Sequence, residues 1–110
     1  MSEIIEIHTT IDSRDAAQKL AEAVVSKRLA ACAQVSGPIM SIYWWQGKIE
    51  RDQEWLCVMK TRRELYPAVE QAIREAHPYD EPEILAYPMI AGSNGYLAWV
   101  ERETQEETRA

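Results

Sequence analysis

A long extended region, running from Val35 to Lys60 with a single turn at Gln46-Gly47, leaves few folds open to a chain of 110 residues. Val35, Ile39, Met40, Ile42, Tyr43, Trp44 and Trp45 lead into the turn and Lys48 to Lys60 lead out of it. The pattern therefore reads as one hairpin, with arms of about 13 to 15 residues against the ~5 to 6 of an ordinary strand. Gly37-Pro38 interrupts the first arm. Proline cannot donate to a ladder, so a bulge or bend is expected there.

The segments around the hairpin supply the remaining layers. From Ile4 to Ile11 the residues alternate, with Ile5, Ile7 and Ile11 on one face and Glu6 and His8 on the other, as in a strand with one core face. Asp12 or Ser13 caps the next segment, where Ala16, Leu20 and Ala23 recur with Ala17, Val24 and Arg28 beside them as a helical stripe of mostly small residues. Thr61 and Glu64 have the spacing of a capping box, although Pro67 argues for a later start of the regular helix. Leu65, Val69, Ala72, Ile73 and Ala76 form its stripe, which stops before Pro78. Glu83 to Ile90 reads as a strand that Pro88 confines to an edge or an end, and Tyr96 to Glu103 as a short helix opened by Ser93 or Asn94. Strand, helix, strand, strand, helix, strand is the order of an α+β, ferredoxin-like sheet of four antiparallel strands with both helices on one face.

At this length the elements share one core, so residues 1–103 are expected to form a single domain and 104–110 a polar tail. Hydrophobic residues at 46% and charged residues at 27% are the balance of a globular chain. The net charge of −6 and the scattered basic pairs Lys27-Arg28 and Arg62-Arg63 leave no footprint for nucleic acid. No apolar run nears the ~18 residues of a membrane span and no leader pattern opens the chain, so a cytoplasmic location is expected. In a reducing compartment Cys32 and Cys57 are free thiols. They also stand too far apart to pair: with a two-residue turn Cys57 faces Ser36, ~13 Å along the strand from Cys32. Helices on one side leave the other sheet face bare, and Tyr43, Trp44, Trp45 and Trp55 gather on the projecting hairpin. Aromatic side chains so placed point to self-association.

Leu29-Ala-Ala-Cys-Ala-Gln-Val, Ile42-Tyr-Trp-Trp-Gln-Gly-Lys-Ile-Glu, Met59-Lys-Thr and His77-Pro-Tyr-Asp-Glu-Pro-Glu-Ile follow one another in an order and spacing that resemble the CutA divalent-cation tolerance family. The resemblance runs from Ile4 to about Glu103. It implies a ferredoxin-like fold, a homotrimer, and a link to copper and other divalent cations.

Two histidines are the candidate metal ligands. His77 stands where a helix ends at Pro78 and precedes Tyr79, Asp80, Glu81 and Glu83; imidazole beside carboxylate suits copper or zinc. The alternative is a helix-terminal histidine next to a solvated acidic loop. His8 lies on the face of the first strand that neighbouring subunits would cover. The resembled family often has a metal-binding cysteine at this position and a second histidine where this chain has Ala76. Imidazole in place of thiolate favours copper(II) over copper(I). Lys60 is expected to join Tyr43, Trp44, Tyr79 and Glu81 around a ligand cleft, or else to be a solvated strand-end lysine. No phosphate-cradling loop or nucleophile signature is present, so no enzymatic activity and no required cofactor are expected. The expected function is divalent-cation binding by a homotrimer, with copper(II) or another divalent transition metal as ligand. The alternatives are a trimeric sensor of a small anionic metabolite and a scaffold trimer that recruits a protein partner.

Overall fold

The computed structural model describes residues 2–105. Strand β1 (Ile4–Ile11) is followed by helix α1 (Arg14–Ser26), strands β2 (Cys32–Trp45) and β3 (Lys48–Arg62), helix α2 (Tyr66–Ala76), strand β4 (Leu85–Pro88) and helix α3 (Asn94–Glu103). The sheet order is β2-β3-β1-β4 with every neighbouring pair antiparallel, the expected α+β architecture. Ile5, Ile7, Cys57 and Met59 meet Leu20, Val24, Val69 and Ile73 of the two helices in one core. Small residues let α1 lie close on the sheet, but its buried line is Ala17, Leu20, Ala21 and Val24. Ser13 is the cap, its Oγ accepting from Ala16 N–H at 3.0 Å. Arg28, expected on the helical stripe, stands beyond the helix at φ 62°. There it turns the chain while its N–H bonds Val25 O and that of Leu29 bonds Val24 O.

The hairpin arms have 14 and 15 residues and meet at the two-residue turn Gln46-Gly47. The expected irregularity lies between Ser36 and Ile39. It shifts the pairing by one residue, so Cys57 faces Val35 rather than Ser36. The extra residue is in β2, and because side chains alternate along a strand, the shift turns Val35 and Ala33, rather than Ser36 and Gln34, to the core face beside Cys57 and Met59. Both cysteines are free.

Three expectations change. The capping box does not form, because Thr61 still belongs to β3, opposite Ile5, and donates its hydroxyl to Leu29 O at 2.6 Å. A short 3₁₀ turn, Arg63–Leu65, intervenes, and Pro67 sits in the first turn of α2, where a missing N–H costs nothing. The last strand is only Leu85–Pro88, half the predicted span. Thr104, assigned to the tail, is completely buried and accepts from Arg62 Nε at 3.0 Å; positions 106–110 of that tail lie outside the described residues.

Alternation places Glu6, His8 and Thr10 of β1, Glu54, Val58 and Lys60 of β3, and Leu85 and Tyr87 of β4 on the face away from α1 and α2. Helix α3 is tied to one end of it, through Tyr96 to Cys32 and Thr104 to Arg62. The rest carries exposed apolar side chains, Leu85 and Tyr87 among them, and Met40, Ile42, Trp44 and Ile49 are exposed along the hairpin.

Candidate functional site

The open sheet face holds two separate groups of polar side chains. Near its centre Glu6 and His8, two residues apart on β1, lie side by side, and His8 Nε2 donates to Glu6 Oε1 at 2.6 Å. The Tyr87 ring covers the imidazole, with centroids 4.4 Å apart. Lys60 completes this group, its Nζ 2.8 Å from Gln34 Oε1 and 3.8 Å from Glu6 Oε2. Nδ1 of His8 has no hydrogen-bond partner among the described residues.

His77 is placed differently. It caps α2, its N–H bonding Ile73 O at 2.9 Å, and its ring is buried. Nε2 donates to Thr10 O at 2.7 Å while Nδ1 accepts from Tyr79 N–H at 3.2 Å, and the Tyr79 ring packs edge-on at 4.6 Å. Both nitrogens are thus engaged in pinning the loop after α2 to the end of β1. His8 and His77 share no partner. Among the described residues no three His, Cys, Asp or Glu side chains gather closely enough to hold a metal ion.

The second group is a cleft of about 590 Å³ between the hairpin and the loop after α2. Tyr43, Trp44, Trp45 and Tyr79 border it together with Glu54, Glu81 and Glu83. Tyr79 Oη donates to Glu54 Oε2 at 2.8 Å, and Tyr43 Oη donates to Asp52. Desolvation and the Glu54 carboxylate push the Tyr79 phenol well above its ordinary range, and the Asp52 bond pushes Tyr43 up to about 12. Both phenols therefore act as hydrogen-bond donors. The structure brings Tyr43, Trp44, Tyr79 and Glu81 together here as the sequence suggested, adds Glu54 and Glu83, which the sequence reading did not place in the cleft, and leaves Lys60 outside it. Glu54 and Lys60 are six positions apart on β3, ~20 Å at the rise of a strand, so the lysine belongs to the Glu6–His8 group instead. Without it the cleft lining has carboxylates and no base, and an anionic metabolite would be repelled.

Residues 5–103 match the sequence profile of the CutA1 divalent ion tolerance protein. The chain belongs to that family. A divalent-cation tolerance protein CutA of Thermus thermophilus is 38% identical over 94% of this chain and 99% of its own. The chloroplastic protein CutA 1 of rice is 37% identical over 93% of this chain but only 58% of its own length, so the chain spans little more than half of that relative. The crystal structure of CutA1 from rice superposes with a TM-score of 0.92 at 36% identity, covering 96% of each chain. The two chains share the fold. Compartment is not constant among CutA proteins, the rice relative being chloroplastic by name; in this chain no described helix is long and apolar enough to cross a membrane.

Proposed function

We propose that the chain is a non-catalytic, self-associating protein that binds divalent transition metal, copper(II) in the first instance, through His8. The Glu6–His8 pair carries this reading. A carboxylate that accepts from one imidazole nitrogen fixes the ring and its tautomer and leaves the other nitrogen's lone pair for a metal, an arrangement found around metal-ligating histidines generally. His77 would have to release the Tyr79 N–H before Nδ1 could serve, so its part is to hold the loop. One imidazole does not make a site, and the remaining donors would come from a neighbouring subunit, on the face where Leu85 and Tyr87 stand exposed. The family's tie to divalent cations supports the ligand class.

Calorimetric titration of copper(II) into the protein and its variants tests the reading. His8→Ala should abolish tight binding, Glu6→Gln should weaken it by about 10-fold, and His77→Ala should lower the melting temperature while leaving copper affinity within a few-fold. Affinity that survives His8→Ala, or that depends on His77 alone, would overturn the assignment.

A further inference from the structure

Glu54 is only 7% exposed, and no Lys, Arg or His nitrogen lies within salt-bridge distance of it among the described residues. Its Oε2 takes the Tyr79 hydroxyl; its Oε1 has no hydrogen-bond partner among the described residues, and the side chain lines the cleft. Buried carboxylates are ordinarily paired, since desolvation of a charge is costly. Glu83, on the loop that forms the facing wall, is also without an ion pair among the described residues, and Glu81 is held only loosely by Arg74 at 3.7 Å. The missing cation is not a bare metal, because these side chains do not converge on a point as metal ligands must. On the face of the hairpin that carries Glu54 stand Tyr43 and Trp45, whose aromatic faces attract cations and cover aliphatic chain. A space of about 590 Å³ is in the range of small-molecule sites.

We propose that this cleft binds a small organic ammonium cation, an aliphatic diamine or polyamine, with one ammonium group donating to Glu54 Oε1, the methylene chain against Tyr43 and Trp45, and a second ammonium near Glu83. This site is separate from the Glu6–His8 group and does not depend on the copper reading.

Titration of 1,4-diaminobutane into the native protein at moderate salt, followed by calorimetry, tests it, with 1,4-butanediol as the neutral chain of equal length. The diamine should bind at a fixed ratio to subunits, at least 10-fold more tightly than the diol. Glu54→Gln, which keeps the acceptor for Tyr79, should weaken the diamine at least 10-fold and leave copper(II) affinity unchanged; Glu83→Gln should weaken it several-fold, and Trp45→Ala likewise. Circular dichroism establishes that each variant is folded. Equal affinity for diamine and diol, or diamine binding that survives both Glu54→Gln and Glu83→Gln, would overturn the proposal. So would the absence of binding, the result expected if a basic side chain of a second copy already occupies the cleft.

Discussion

Thr9 lies on the core face of β1, completely buried, and its Oγ1 has no hydrogen-bond partner. An unpaired hydroxyl in such a place costs roughly 1–3 kcal/mol, and an apolar group of the same shape removes that cost. Thr9→Val keeps the β-branch that suits a strand, so it should stabilise the protein by about 1 kcal/mol, read as a melting temperature higher by several degrees at fixed protein concentration. A lower melting temperature would mean that the hydroxyl does find a partner. Cys57, on the same face and opposite Thr9, is pushed up to about 11 by burial. A thiol whose folded pKa is raised keeps its full stabilisation below the unfolded value, near 9, and loses it as pH climbs from there to about 11. Over that interval the loss should be on the order of 2 kcal/mol. In Cys57→Ala the slope of stability against pH between 9 and 11 should be correspondingly flatter, whatever the absolute cost of the cavity. An unchanged slope would show that the tyrosines alone set the alkaline limit.

The hairpin depends on one backbone position where its first arm is interrupted. Gly37 sits at φ +151°, and a Cβ there would lie 2.6 Å from Trp55 Cδ1 and 3.1 Å from Glu54 O. Trp55 cannot withdraw easily, since its ring is already packed with Nε1 buried. Gly37→Ala should therefore cost about 2–3 kcal/mol and lower the urea midpoint, whereas Gly47→Ala, at φ +80° with open space around it, should cost about 1 kcal/mol. Equal costs at the two positions would argue against the contact with Trp55. The glycine and proline announced this irregularity in the sequence, and local alternation announced β1 and the hairpin turn. What sequence could not give was the direction of the one-residue shift, which decides that Val35 rather than Ser36 stands beside Cys57 at the core. The Thr61–Glu64 spacing misled for a related reason: ladder pairing with Ile5 outweighs a cap worth ~1 kcal/mol, so Thr61 stays in the strand. In the cleft, the aromatic residues were legible because they cluster along the chain. Glu54 was not, since its burial comes from Tyr79, 25 residues away, and its separation from Lys60 only matters once β3 is seen to run straight between them.

The described residues have a radius of gyration of 14.6 Å and extents of 45 × 28 × 21 Å, against about 13 Å for a compact domain of this length. The excess is the hairpin, which projects past Ile39 of β2 and returns to the core at Glu54 of β3, and which carries Met40 at 64%, Ile42 at 61% and Trp44 at 72% exposure. With Ile49 opposite Trp44, these side chains form one stripe along a face of the hairpin, while Leu85 and Tyr87 stand exposed on the open sheet face. So much exposed apolar surface is unusual on a monomer. A trimer, each hairpin laid on the next subunit, would cover it and bring donors from a neighbour towards His8. Native mass spectrometry should therefore find three chain masses for the unaltered protein. The Met40→Glu, Ile49→Glu double variant changes two side chains that belong to neither the core cluster nor the cleft lining. If each is worth ~1.5–3 kcal/mol when buried, the pair should weaken assembly at least 100-fold, and the variant should run as single chains at micromolar concentration with its circular dichroism intact. Copper affinity should fall with it, because the donors that complete the His8 site would then be missing, whereas a single-chain mass for the unaltered protein, or a three-chain mass for the double variant, would show that this stripe is not what joins the subunits.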